Sequence, residues 1–196
     1  CPVLKKHATT KECYFPGRSA SDKWFDVSRV LFDKITPRPY AKRWVTLDVP
    51  MTDIPVLMRS GRIVLAQYPA LTTSESRLND FVLLVALDSS RSSASGDIFV
   101  DDGDSIGTLE SKSYFHAAFE FKNGKLTMSV DVENFPSSSV GSGVDKLIVM
   151  GFDQAVRRVI VDGADHPTWR QDLNRVVYVE KLNVSLLKSF YVQLES

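Results

Sequence analysis

The chain has 196 residues, 43% hydrophobic and 24% charged, and its 24 basic and 24 acidic side chains cancel to a formal net charge of zero. Those are ordinary values for one large or two small globular domains. They give no basic excess to favour nucleic acid or an anionic membrane surface, and no apolar run approaches the ~18 residues of a membrane-spanning helix.

The start at Cys1-Pro2-Val3-Leu4 reads like the middle of a strand, with no signal-peptide pattern, so a fragment or processed product is expected. The two cysteines, Cys1 and Cys13, come together if Pro2-Val3-Leu4 pairs with Cys13-Tyr14-Phe15, and otherwise remain free thiols. Pro16-Gly17 ends that first strand, and Trp24 to Val27 forms the next. Thr36-Pro37-Arg38-Pro39 is a connector, because two prolines so close prevent helix. Arg43 to Val49 alternates as a half-buried strand does. Ile54 to Met58 and Arg62 to Ala66 read as two strands joined by a hairpin-like turn at Arg59-Ser60-Gly61. The polar stretch from Tyr68 to Asp80 is the best linker candidate.

Phe81 to Leu87 is unbroken apolar sequence, the pattern of a strand buried on both faces. A Ser-rich turn follows, then a short strand, Asp97 to Val100, and the polar Asp101-Asp102-Gly103-Asp104-Ser105. Asn123-Gly124 is a strong hairpin signal. A two-residue loop there sets Phe121 opposite Leu126, Phe119 opposite Met128, Ala117 opposite Val130 and Phe115 opposite Val132, all on one apolar face. Further strands are expected at Asp145 to Met150, Val156 to Val161, Val176 to Val179 and Phe190 to Leu194, with a turn at Asp162-Gly163. Helical spacing is absent. Many short strands with regular turns predict an all-β protein of sandwich type, and the linker predicts two sandwiches in succession.

The candidate chemistry is sparse. Asp101 to Ser105 resembles half a calcium loop, but the closing glutamate is missing, so a turn with Asp side chains bonding local N–H groups is expected and no metal. His116 and Asp131 face each other in the derived hairpin and could orient a base, yet no nucleophile is placed beside them. Trp24, Phe25, Trp44 and Trp169 can stack on sugar rings, but aromatic side chains in small sandwiches more often fill a core or an interface, so sugar contact is not expected. Asn183-Val184-Ser185 is an N-glycosylation sequon.

Four stretches, in order, resemble the C-terminal part of family 31 glycoside hydrolases, closest to eukaryotic α-glucosidases of the lysosomal acid maltase and sucrase/maltase type. They are Pro2 to Leu4 with Tyr14-Phe15-Pro16; Trp24-Phe25-Asp26; Val45 to Ile63 with Leu71 to Arg77; and Leu83 to Ser105. The resemblance implies a proximal sandwich, 1–77, and a distal one, 78–196, following a (β/α)8 barrel that is not on this chain. The family's nucleophile motif, Trp-x-Asp-Met-Asn-Glu, and its acid/base Asp belong to that barrel, so no catalytic residue is expected here. It further implies no cofactor, the barrel of the same α-glucosidase as partner, an interface around Tyr14, Trp24 and Phe25, and the secretory pathway, lysosomal or extracellular; the alternatives are a stand-alone carbohydrate-binding β-sandwich module or a scaffold domain. Cys1 and Cys13 and the longer turn Gly17 to Lys23 depart from the family pattern.

Overall fold

The computed structural model describes residues 5, 7–17, 22–28, 30–31, 38–41, 43–52, 54–88 and 92–196. The chain is all-β. Its first strands are β1 (Thr10–Tyr14), β2 (Trp24–Asp26), β3 (Arg38–Tyr40), β4 (Trp44–Asp48), β5 (Leu57–Arg59) and β6 (Arg62–Gln67). Then come β7 (Phe81–Ala86), β8 (Ala94–Val100), β9 (Phe115–Lys122), β10 (Lys125–Glu133) and β11 (Gly143–Met150). The last are β12 (Arg158–Val161), β13 (Ala164–Asp165), β14 (Trp169–Gln171), β15 (Val176–Val179), β16 (Val184–Ser185) and β17 (Tyr191–Glu195). Two single-turn helices, α1 (Thr73–Ser76) and α2 (Thr108–Ser111), interrupt them.

Strand β7 lies between β6, antiparallel, and β11, parallel. All six of its residues are buried, as the unbroken apolar run predicts. Its side chains alternate between two cores. Phe81, Leu83 and Val85 join the larger core with Phe119, Phe121, Leu126 and Val192. Val82, Leu84 and Ala86 join a second core with Phe25, Val27, Val30 and Met58. Strands β11 and β15 split the same way: Leu147, Val149, Val177 and Val179 face the first core, Ile148, Met150, Val176 and Tyr178 the second. The sheet β6-β7-β11-β15-β14 is therefore a middle layer. On one side it covers β8-β9-β10-β17-β12-β13, to which it is joined in one continuous strand order. On the other it covers the three-stranded sheet β3-β2-β5. That small sheet's opposite face, with Trp24, Tyr40 and Leu57, packs on Cys13, Phe15, Leu47 and Val49 beside the two-stranded β1-β4 sheet.

Several expectations are corrected. Strands β5 and β6 do not form a hairpin: β5 pairs with β2, whereas β6 pairs with β7 and β8. The turn at Ser60-Gly61 instead carries the chain from one sheet to the next, with Gly61 N–H donating to the Ala86 carbonyl at 2.7 Å. Strand β8 begins at Ala94 because the Ser-rich stretch continues the ladder, Ala94 opposite Phe121. The linker stretch holds α1, closed by a reciprocal capping box between Thr72 and Glu75. Cys13 pairs within β1 to Val45 of β4 and is disulfide-bonded. The chain's other cysteine, Cys1, and its expected strand Pro2-Val3-Leu4 lie outside the described residues.

The β9–β10 hairpin has the predicted register for Phe121–Leu126, Phe119–Met128 and Ala117–Val130. A bulge at Asp131 then shifts the ladder, so Val132 meets His116 and Phe115 meets Glu133 rather than Val132. One extra residue in a strand does this, and sequence alternation alone does not reveal it. At the turn, Asn123 and Gly124 have φ of 52° and 76°, the positive values of a type I′ turn. A Cβ on Gly124 would stand 2.8 Å from the Leu194 carbonyl oxygen of β17. Gly124→Val should therefore lower stability by about 1–2 kcal/mol, from backbone strain alone. Lys122→Ala, at the exposed strand end, should stay within about 0.5 kcal/mol. Urea unfolding of the two variants checks this, and equal midpoints would contradict it.

Candidate functional site

The sequence-predicted residues do not assemble into one site. Tyr14 and Trp44, partners across β1 and β4, bring their rings to 5.1 Å, and both are exposed, at 45% and 60%. Trp24 is half-buried: its ring lies 5.7 Å from Phe15 and its Nε1 donates to the Pro16 carbonyl at 3.0 Å. Phe25, one residue on, points to the other side of its strand and is buried against the middle layer. Of the predicted trio, Tyr14 is the most exposed, and Trp44, read from the sequence only as a stacking candidate, stands beside it. Asn183 is exposed, immediately before β16. Trp169, on β14, is half-buried and packs against the larger core.

The Asp101–Ser105 stretch is held by its own side chains. Gly103 N–H donates to Asp101 Oδ1 at 2.9 Å, and the N–H groups of Asp104 and Ser105 donate to Asp102 Oδ1 at 3.1 and 2.9 Å. The Ser105 hydroxyl donates to Asp102 Oδ2. These bonds, the Ser105 hydroxyl first, lower the Asp102 pKa from 3.8 to about 2. Arg77, just past α1, clamps the loop through Nη2 to the Asp101 carbonyl, while its Nε is buried with no partner among the described residues. The clamp needs Gly103: a Cβ there would lie 2.1 Å from Arg77 Nη1.

On the outer face of β8 and β9, His116 Nδ1 lies 2.9 Å from Asp131 Oδ2, and Nε2 lies 3.4 Å from Asp97 Oδ2. The bulge that shifts the ladder thus keeps Asp131 within reach of the imidazole, and three strands are tied together. A serine or cysteine nucleophile is not among these contacts. Two openings flank the middle layer. One, about 450 Å³, is an apolar groove lined by Val27, Val30, Leu31, Val56, Met58 and Ala66 among others. The other, about 420 Å³, lies between β6 and β8, with Gln67, Arg77, Asp97, Phe99 and Asp101 on its walls and buried Ile98 and Val140 beneath.

Comparison with known proteins bears on what such a scaffold belongs to. Residues 1–64 match the glycosyl hydrolase family 31 C-terminal domain. Sucrase-isomaltase of Oryctolagus cuniculus is 29% identical over 198 residues, spanning 98% of this chain and 10% of its own length. Lysosomal alpha-glucosidase of Bos taurus is 32% identical over 169 residues, 81% of this chain and 17% of its own. The crystal structure of the glucosidase II alpha subunit in its DNJ-bound form superposes with a TM-score of 0.70 at 26% identity, over 99% of this chain and 22% of that one. The chain belongs to glycosyl hydrolase family 31. The chain spans from a tenth to under a quarter of the length of these relatives. Among the described residues no helix is long and apolar enough to cross a membrane.

For this family 31 portion, the loop chemistry is the most measurable feature. A carboxyl held at a depressed pKa contributes stability that is fully present above the unfolded value and fades as the pH falls through the folded one. For Asp102 that window runs from about 3.8 down to about 2. An NMR titration of its carboxyl carbon should have its midpoint near about 2, and Ser105→Ala should move it upward. A midpoint at the ordinary carboxylate value would refute the loop geometry.

Proposed function

We propose that this chain is the non-catalytic C-terminal part of an α-glucosidase, bracing a catalytic (β/α)8 barrel that performs the retaining hydrolysis of terminal α-linked glucose from maltooligosaccharides or glycogen and starch. The observation that carries this is the apolar surface of the first sandwich. Trp44, Met51, Ile54 and Val56 are 60%, 103%, 82% and 51% exposed, and Val56 also lines the apolar groove. Exposed apolar side chains of this number favour a covered interface, and exposed aromatic residues such as Tyr14 and Trp44 are the usual anchors of one. The relatives' much greater length supports a partner on the same enzyme.

In this reading Tyr14 and Trp24 belong to the barrel-facing side, and Phe25 holds the strand that presents them. The proposed division into a proximal unit, 1–77, and a distal unit, 78–196, makes β6 a strand that the first lends to the sheet of the second. The lysosomal alpha-glucosidase among its relatives supports a secretory-pathway protein, lysosomal or extracellular. Asn183, exposed within its sequon, is then a glycosylation site. No nucleic-acid partner or cofactor enters this reading.

The test is co-purification of the chain with the catalytic portion of the same enzyme. Tyr14→Ala combined with Trp44→Ala should weaken the association by about tenfold or more, roughly 1.4 kcal/mol, with the β9–β10 hairpin unperturbed by NMR. Equal retention of wild type and variant would overturn the interface. The purified chain alone should release no glucose from maltose, and release abolished by a substitution within it would contradict the non-catalytic role. Expressed in a secretory eukaryotic host, the wild type should carry an endoglycosidase-sensitive mass that Asn183→Gln loses.

A further inference from the structure

The opening between β6 and β8 is a cavity among the described residues that the bracing role leaves unused. It arises from the topology. Strand β6 pairs with β7 along its whole length but meets β8 at a single position, Arg62 opposite Ser95. Gly96 permits this approach, since a Cβ there would lie 2.1 Å from the Ile63 carbonyl oxygen. Beyond it the facing edges of β6 and β8 have no ladder, so backbone polar groups line the gap.

What flanks the gap is chemically selective. Phe99, 45% exposed, stacks on Tyr114 with ring centroids 4.8 Å apart and an interplanar angle of 27°. Asp97, two residues back on the same face of β8, is also exposed, and His116 stands opposite Phe99 across the ladder. Carboxylates at Asp97 and Asp101 disfavour an anionic ligand, and the guanidinium of Arg77 is already engaged with the Asp101 carbonyl. The polar walls disfavour a purely apolar one. A volume of about 420 Å³ falls within the roughly 300–1,000 Å³ of small-molecule sites. An aromatic platform beside a carboxylate and unpaired backbone groups suits a ligand with one apolar C–H face and a rim of neutral hydroxyls.

The geometry points to a binding site for a neutral pyranose oligosaccharide here, its C–H face on Phe99 and its hydroxyls on Asp97 and the β6–β8 backbone edges. The site holds sugar without cleaving it. It does not depend on the bracing role, and it involves none of Trp24, Phe25, Trp44 or Trp169, the aromatics that the sequence offers for stacking.

Titration of the chain with maltotriose, followed by amide NMR and calorimetry, tests it. Saturable binding with a Kd of about 1 mM is expected, with shifts concentrated at Gln67, Arg77, Asp97 and Phe99. Phe99→Ala should weaken it by about tenfold or more, Asp97→Asn should weaken it too, and Trp44→Ala should leave it unchanged. Inorganic phosphate should not compete. No saturation by about 50 mM, shifts centred on Trp44 or Trp169, wild-type affinity in Phe99→Ala, or competition by phosphate would each overturn the proposal. The shift map on the wild-type chain decides even if a variant fails to fold. Failure here leaves the co-purification result standing, and the reverse holds as well.

Discussion

The structure depends on one strand having no solvent side. In β7, Val82, Leu83, Val85 and Ala86 are wholly inaccessible, and the alternating side chains feed two cores at once. Both faces being dry, every position must be apolar, and the backbone must be satisfied within the sheet. The antiparallel ladder to β6 and the parallel ladder to β11 do that along the strand. A polar residue at any of these positions would be buried without water and without a ready partner, which costs on the order of 1–3 kcal/mol.

Placing the middle layer in this way pushes everything chemically distinctive to the periphery. The Asp102 loop, the His116 cluster, the Tyr14–Trp44 pair and the β6–β8 opening all lie on strand ends or outer faces. None joins a carboxylate pair to a nucleophile or a second acid. Family 31 relatives of modest identity nevertheless align over nearly the whole chain. The apolar pattern that the layers require survives much substitution.

The sequence was most legible where one local rule governs. The unbroken run gave β7, Asn123-Gly124 gave the hairpin and three of its four predicted pairs, and Asp162-Gly163 gave the turn between β12 and β13. It was least legible where distant segments choose each other. Nothing local tells β5 to join β2 rather than β6, or β1 to join β4. The bulge at Asp131 was hidden because an extra residue there still looks like alternation. The capping box at Thr72 and Glu75 closes a single helical turn, which carries no periodicity to announce it. The stacking of Phe99 on Tyr114 has no local sequence signal, because it depends on how β8 lies beside the start of β9. Asp101 to Ser105 is legible as a self-bonded turn, because Asp side chains reach N–H groups two or three residues on.

If β7 couples both cores, the chain should unfold as one unit. Residue-resolved NMR across a urea series, for wild type and Leu84→Ala, measures this directly. Leu84 faces the second core only. The account predicts that Phe25 and Met58, on one side of β7, and Phe119 and Phe121, on the other, lose their native signals at one common midpoint. The substitution should lower that midpoint for both sets together, by an amount equivalent to about 2–5 kcal/mol. Two separate midpoints in the wild type, or a shift confined to Phe25 and Met58, would contradict it.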